Sequence, residues 1–240
     1  MNAQLHDTSG QEIAIESCVT EAAQYALLRR LAPVIRHNMA GTLQPIAMVA
    51  AMLERRLQKA DADMDALLRN ARDIIALSKE AAASCIDLMG WLAPRETRSI
   101  QASEGITECL GMVATQLSFK GFSIADHSSE TGAEISQSAS RNVLTAALLA
   151  LTDVAAPSVL RIETEFTQDF FSVRVSLGEL TPPTSTRPPE SSPYRRLEWK
   201  DVEALAARES VRLMHTDKQV ELFFAASMTS AKQVAETAQA

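Results

Sequence analysis

The stretch Leu31-Ala-Pro-Val-Ile-Arg-His-Asn-Met-Ala-Gly-Thr-Leu-Gln-Pro-Ile46 decides how the rest of the chain is interpreted. It places His37 inside a run whose apolar residues keep the three-and-four spacing of an amphipathic helix. Pro45 follows His37 by eight residues and is predicted to bend that helix. Because an imidazole in a helix usually packs or faces water, His37 needs support from its surroundings before any chemistry is assigned to it.

Two long helices are predicted in the first 94 residues. The first extends from about residue 15 to residue 59, and the second from about residue 64 to residue 92, with a polar turn between them. A two-helix hairpin cannot bury a broad apolar stripe on both arms. We therefore predict that residues 16–94 form a dimerisation hairpin that pairs with a second copy as a four-helix bundle, preceded by a flexible leader over residues 1–15.

The second half of the chain has the pattern of a small α/β sandwich over residues 100–228, followed by a tail over residues 229–240. The alternating runs 158–165 and 170–177 predict an antiparallel hairpin around Thr167-Gln-Asp169. Helices are predicted over residues 104–119, 140–155 and 197–214, strands over residues 120–126 and 219–225, and an irregular proline-rich loop over residues 181–193. The predicted fold class is α+β, an antiparallel helical hairpin followed by this sandwich.

Composition excludes several classes of function. The net charge is −7 and no block of Lys and Arg reverses it, which argues against nucleic acid as a partner. No apolar run is long enough to cross a membrane, and the first ten residues carry no signal-peptide pattern. Cys18, Cys85 and Cys109 lack metal-ligand spacing and are interpreted as reduced thiols. These features predict a cytoplasmic location.

The segment His37-Asn-Met-Ala-Gly-Thr-Leu-Gln-Pro-Ile46 resembles the phosphoacceptor box of two-component histidine kinases. The positions that fit are His37, Met39, Gly41, Leu43, Pro45 and Ile46. The predicted order of elements in the second half is also similar to a reduced kinase ATP-binding domain. The resemblance covers roughly residues 20–226, and it implies a helical hairpin that carries the phosphate-accepting histidine.

The chain departs from the kinase pattern where ATP chemistry is concerned. Asn38 stands where the family has the acid that serves as general base, and an amide cannot take a proton at pH 7. Asn142 matches the first magnesium-site asparagine, but Ala146 and Ala150 fill the positions of the second asparagine and the following cation. The adenine-reading Asp-x-Gly-x-Gly and a glycine-rich lid are missing; Ser176-Leu-Gly-Glu-Leu180 and the proline-rich loop stand there. We predict that ATP binding is lost and that the chain holds no cofactor.

What remains is similar to the dimeric histidine phosphotransferases whose ATP-binding domain has degenerated. This resemblance implies that His37 accepts phosphate from receiver-domain aspartates of response regulators and donates it to others, while the receiver supplies the magnesium. Arg36 and Asn38 could help to hold phosphate oxygens. Asn38 or Gln44 could alternatively fix the tautomer of the ring.

Other interpretations of the same residues stay open. His37 could be vestigial or structural, and the chain could be a non-catalytic dimeric scaffold that binds a receiver or a kinase. An ATP-using histidine kinase is disfavoured by the missing motifs, and phosphatase action by Asn38 and Gly41. The pairs Arg29-Arg30 and Arg55-Arg56 either line a docking face for an acidic receiver or simply face solvent. Whether the protein is an enzyme, and which receivers it serves, the residues leave undecided.

Overall fold

The computed structural model describes residues 5–59, 63–92, 98–129, 131–167, 169–180 and 194–228, with side chains from residue 15 to residue 227. The chain divides into two compact units. The first, which we call the α/β unit, contains Met1–Arg30 and Arg95–Ala240; the second, the hairpin unit, contains Leu31–Pro94. The boundary between them falls inside a helix, whereas the sequence predicts a hairpin domain that begins at residue 16.

Two long helices confirm the predicted hairpin: α1 spans Leu5–Leu57 and α2 spans Met64–Leu92. Residues 5–14 are the helical start of α1, in the segment where the sequence predicts a flexible leader over residues 1–15. The physical reason is that this stretch contains no proline, and its single glycine, Gly10, does not interrupt a helix that continues through Gln11–Ile15. None of the helices in the described ranges has a segment long and apolar enough to cross a membrane.

The hairpin unit buries only part of its apolar surface. Leu31 and Ile35 of α1 are buried, as are Leu67, Leu88 and Trp91 of α2. The unit also exposes many large apolar side chains: Met39, Leu43, Met48, Met52, Leu57, Met64, Leu68, Ile75, Ile86, Met89 and Leu92. The Arg56 guanidinium donates to Oδ1 of Asn70 at 3.2 Å, which ties the two arms together near their turn.

The α/β unit confirms the predicted mixture of helices and strands. Its helical elements are α3 (Ala102–Phe119), α4 (Gln137–Ala139), a π-helical turn (Ser140–Leu144), α5 (Thr145–Val154) and α6 (Trp199–Arg208). Its strands are β1 (Ser99–Gln101), β2 (Ser123–His127), β3 (Ala133–Ser136), β4 (Ser158–Thr167), β5 (Phe170–Leu180), β6 (Arg212–His215), β7 (Gln219–Ala225) and β8 (Ser227–Met228).

These strands form two sheets. The larger has the order β2-β4-β5-β7-β6, and the smaller has the order β1-β3-β8. The predicted hairpin is β4–β5, with Thr167 opposite Phe170 in register. Alternate residues face the helices and are buried: Leu160 and Ile162 on β4, Phe171, Val173 and Val175 on β5, and Val220, Leu222 and Phe224 on β7. This burial explains the period-two pattern of the sequence.

Two predictions of local structure need correction. The helix predicted over residues 197–214 ends at Arg208, because Ser210 takes a positive φ of 56° and the chain then enters β6, which pairs with β7. The short strands β1, β3 and β8 were not predicted. The proline-rich loop 181–193 and the tail 229–240 lie outside the described residues.

Candidate functional site

His37 lies on an open surface of α1. The side chains of Arg36, His37, Asn38 and Gln44 are all exposed. In the part of the chain that the structure describes, none of the four is joined to another group by a side-chain hydrogen bond or ion pair. The predicted roles of Asn38 or Gln44 in fixing the ring tautomer therefore have no hydrogen bond to support them here.

Helical spacing puts His37, Gly41 and Gln44 on one face of α1. Gly41 lies one turn beyond the histidine, and a Cβ added there would meet no atom within 4 Å. Gln44 lies two turns beyond it, about 10 Å along the axis, so its amide reaches the imidazole poorly. The face next to His37 is thus bare, and another protein can approach the ring over Gly41.

Arg36 and Asn38 flank the ring without facing each other, because adjacent residues on a helix point about 100° apart. Beside them, Met39 is 36% exposed and Leu43 is 47% exposed. The Thr42 hydroxyl donates back to the carbonyl of Met39 at 3.0 Å, a local bond one turn away. The site therefore combines an accessible imidazole, one free-standing cation, an amide and an apolar strip.

Asn142, the predicted remnant of a magnesium site, has very different surroundings. Its side chain is 7% exposed, and its amide nitrogen donates to Oε1 of Glu209 at 2.7 Å. The hydroxyl of Ser138 donates to Oε2 of the same carboxylate at 2.8 Å. The side chain that could have reached a cation is instead bonded to an internal acid at the end of α6.

The neighbouring positions do not fit a bound nucleotide either. Ala146 and Ala150, which lie one and two turns beyond Asn142, are buried and offer only methyl groups. The stretch 176–180, where an adenine-reading loop would stand, is part of β5, and Leu180 pairs with Ser158 of β4. Among the described residues, these positions thus supply neither the second asparagine nor an irregular loop after β5.

The amino end of α6 is also occupied by the chain itself. Its free N–H groups are satisfied by a capping box between Glu198 and Asp201. Asp201 additionally accepts two hydrogen bonds from Arg195, at 2.9 and 3.0 Å. Helix amino ends are common sites for phosphate. Here two carboxylates, paired with Arg195 and Lys200, already hold that position.

A second polar cluster lies beside Asn142 and closes this region further. Arg141 donates to Glu108 at 2.9 Å, and the buried thiol of Cys109 donates to the carbonyl of Ser140 at 3.3 Å. Burial raises the pKa of Cys109 to about 12, so this thiol stays protonated. No group of three His, Cys, Asp or Glu side chains that could hold a metal ion is found among the described residues.

The structure also locates residues whose roles the sequence did not reveal. Glu209 is the partner of Asn142, and nothing in the sequence pattern pairs them. Arg30, which we considered for a docking face together with Arg29, is only 4% exposed and bonds to Asp153 inside the α/β unit, so it cannot meet a receiver there. Arg56 is turned toward Asn70, whereas Arg29 and Arg55 are exposed.

The chain matches no protein-family model, and no curated protein matches its sequence. Several solved structures are similar to it. One is the Acinetobacter baumannii histidine kinase AdeS, at 12% identity and a TM-score of 0.43, covering 75% of this chain and 96% of that one. A histidine kinase from Burkholderia phymatum shares 12% identity at a TM-score of 0.41, covering 89% of this chain and 98% of its own.

A third similar structure is described as a bacterial phosphotransferase, at 15% identity and a TM-score of 0.36. The match covers 84% of this chain and 95% of that one. Identities of this size do not transfer a residue's role from one chain to another. Function has to be argued from the site itself.

Proposed function

We propose that the chain is a histidine phosphotransfer protein of a two-component phosphorelay, in which His37 passes a phosphoryl group between receiver aspartates. The observation that carries this proposal is the exposed imidazole beside the open space at Gly41. A receiver must bring its aspartyl phosphate within bonding distance of the ring, and the bare face permits that approach.

The transfer makes few demands on this chain. The lone pair of a ring nitrogen of neutral His37 attacks phosphorus, a P–N bond forms, and the P–O bond to the aspartate breaks. The carboxylate leaves with the bonding electrons, and the reverse reaction loads the next receiver. An aspartyl phosphate is a reactive acyl phosphate, so the attack proceeds without the general base that Asn38 cannot supply.

The supporting groups are assigned by their places around the ring. Arg36 provides a cation and Asn38 an amide donor for the phosphoryl oxygens. Gln44, two turns away, is assigned a contact with the receiver and not with the ring. Magnesium is assigned to the receiver, since this chain would bring only Arg36 and neutral groups to the reacting phosphate.

The closed region around Asn142 supports a source of phosphate other than ATP. Asn142 is bonded to Glu209, and the α6 end is capped by Glu198 and Asp201. A nucleotide whose magnesium was held by Asn142 would have to displace Glu209 without gaining a second ligand from Ala146 or Ala150. We therefore propose that phosphate enters from protein.

Homodimerisation of the hairpin unit belongs to the same proposal. Among the residues that the structure describes, this unit exposes eleven large apolar side chains, against eight in the much longer α/β unit. An isolated domain seldom leaves so dense an apolar surface in water. A second hairpin packed on it as a four-helix bundle would bury most of that surface, with Met39 and Leu43 left accessible beside His37.

The test uses the full chain, a panel of phosphorylated receiver domains carrying labelled phosphate, and labelled ATP with magnesium. We expect acid-labile label on the chain from at least one receiver, none from ATP alone, and none from the receiver with His37→Gln. His215→Gln is the matched control, because His215 is also exposed but stacks on Trp199 at 4.1 Å. EDTA should stop the transfer by removing the receiver's magnesium.

The other outcomes each select a different function. Label from ATP alone would show a histidine kinase and overturn the argument from Asn142. Receiver binding without label would show the non-catalytic scaffold. A monomer in sedimentation equilibrium at micromolar concentration would contradict the proposed four-helix bundle.

A further inference from the structure

Three charged side chains meet where α1 packs in the α/β unit. Arg30 of α1 donates to both oxygens of Asp153, at 2.6 and 2.8 Å, and Lys120 bonds to Oδ1 of the same carboxylate. Their side chains are 1%, 3% and 22% exposed for Arg30, Asp153 and Lys120. We call these residues the charge triad. It joins α1 to the ends of α3 and α5.

The triad is poorly suited to stabilising the fold. Two cations share one carboxylate, and Nε of Arg30 is buried without a hydrogen-bond partner. Removing such charges from water costs about as much as their attraction returns, and apolar replacements of similar size are often neutral or stabilising. The best-attested use of a buried ionic group is to specify one arrangement among several.

The position of α1 along the α/β unit is one arrangement that such a group could specify. The buried residues of α1 before Arg30 are mostly small: Ala23 and Ala26 are 0% and 6% exposed, followed by Leu27 at 1%. Apolar contacts of this kind have no preferred direction, so they define the axial position of a helix less sharply than an ion pair does. Gln24 accepts a hydrogen bond from Arg208 at 2.8 Å, but that pair is exposed and constrains the helix weakly.

We propose that the charge triad fixes the register of α1 on the α/β unit, with Arg30 as the positioning residue. A bidentate guanidinium–carboxylate pair is directional, so it holds α1 in one axial and rotational position where the apolar contacts alone do not. The helix continues unbroken from Arg30 to His37, seven residues later. The link to phosphotransfer rests on the proposed function; the register does not.

The register can be measured directly with two spin labels in the α/β unit. Cys18 is exposed on α1 and serves as one site, Glu165→Cys on β4 serves as the other, and Cys85→Ser removes a competing thiol. Cys109 is buried and stays unlabelled. We expect one narrow distance distribution in this background. Arg30→Met should broaden or split it by about 5 Å, the rise of one helical turn.

Two further variants separate register from folding. Arg30→Lys keeps the charge but loses the fork, and should broaden the distribution less than Arg30→Met does. Arg174→Met is the matched control, because Arg174 also pairs with a carboxylate, Glu221 at 2.9 Å, on the sheet. An unchanged narrow distribution in Arg30→Met would overturn the proposal, because apolar packing would then set the register.

Phosphate transfer gives the functional readout. Arg30→Met should slow labelling of His37 by a receiver about tenfold. Its urea midpoint of unfolding should be no lower than that of the Arg174→Met control. A broadened distance with an unchanged transfer rate would overturn the positioning role. If His37 were never labelled even in the wild type, the proposed function would fail, but the spin-label distances would still decide the register.

Discussion

His37 and Asn142 are the two positions that the resemblance to histidine kinases singles out, and their surroundings are opposite. His37 is exposed, has no side-chain partner in the described residues, and looks onto the empty space at Gly41. Asn142 is buried, bonded to Glu209, and followed on its face by the buried methyl groups of Ala146 and Ala150. One site is open to another protein, and the other is filled by the chain itself.

The difference matches the different requirements of the two reactions, transfer from an acyl phosphate and transfer from ATP. Attack on an acyl phosphate needs an accessible ring, so the surroundings of His37 can lose the acid and still support transfer. Use of ATP needs a preorganised cation site and donors for the phosphates. In this chain the amide of Asn142 already donates to Glu209. The following predictions test this contrast, starting with the largest expected effect.

Asp153→Asn, on the closed side, should cost about 3–5 kcal/mol of unfolding free energy at pH 7, because it leaves two buried cations with a neutral partner. Burial acts to raise the pKa of Asp153, but hydrogen bonds from Arg30 and then Lys120 outweigh it and hold the pKa below the ordinary 3.8. A carboxyl with a depressed pKa contributes stability above its unfolded pKa, and this is lost as pH falls through the folded pKa.

Urea unfolding of the wild type and of Asp153→Asn at several pH values checks this prediction. The difference in unfolding free energy between the wild type and Asp153→Asn should have its full size near pH 7. It should become smaller below about pH 3.8, since Arg30 and Lys120 stay protonated there. Arg30→Met combined with Asp153→Leu and Lys120→Met is the control, and it should be near wild type in stability. A constant gap down to pH 2 would contradict the assigned linkage.

Glu209→Ala should cost about 1–3 kcal/mol, because it strands the buried donor of Asn142, while the Ser138 hydroxyl keeps only its contact with the Ser136 hydroxyl at 3.1 Å. Differential scanning calorimetry measures the loss. Glu203→Ala is the control, since Glu203 is exposed and makes only a 3.4 Å contact with His215. The variant should still fail to bind a fluorescent ATP analogue, because Ala146 and Ala150 supply no second ligand. If Glu209→Ala bound the ATP analogue and the wild type did not, Glu209 would be blocking a nucleotide site that is otherwise intact.

Arg36→Ala, on the open side, should slow transfer from a receiver about tenfold, or about 1.4 kcal/mol of transition-state stabilisation. The reason is the loss of the one cation that α1 places next to the ring. Stability should change by less than about 0.5 kcal/mol, as for other exposed positions. Rapid-quench kinetics separate this variant from Arg55→Ala, an exposed arginine farther along α1. Equal transfer rates for Arg36→Ala and Arg55→Ala would show that Arg36 has no role in the transfer.

Elements set by local sequence patterns could be predicted, whereas elements that depend on pairing with distant residues could not. The hairpin β4–β5 follows from alternation around a short turn, and α1 and α2 follow from helical spacing, so both were predicted. The strand β6 was assigned to a helix, because Val211-Arg-Leu-Met-His215 becomes a strand only by pairing with β7. The strands β1, β3 and β8 are two to four residues long; β1 pairs with β3 across 33 to 37 residues, and β3 pairs with β8 across 93 to 95.

The candidate site divides in the same way. His37 and its neighbours lie on one helix, so their spacing already fixed which residues share its face. The pairs Asn142–Glu209 and Arg30–Asp153 join residues 67 and 123 positions apart, and no local pattern connects them. For this reason Arg30 was interpreted as a surface residue. The sequence could show that the ATP motifs were missing, but not what had filled their place.

Gly41 offers the smallest change and the sharpest probe of the open side. Gly41→Ala should raise the unfolding free energy by about 0.5–1 kcal/mol, because alanine has the higher helix propensity and its Cβ meets no atom within 4 Å. Transfer should stay close to the wild-type rate, since a methyl group leaves the ring accessible. Gly41→Trp should keep the helical circular dichroism but slow transfer strongly, because the indole covers the approach to His37. If Gly41→Trp transferred phosphate as fast as Gly41→Ala, receivers would have to reach His37 from another side, and the open face would lose its assigned purpose.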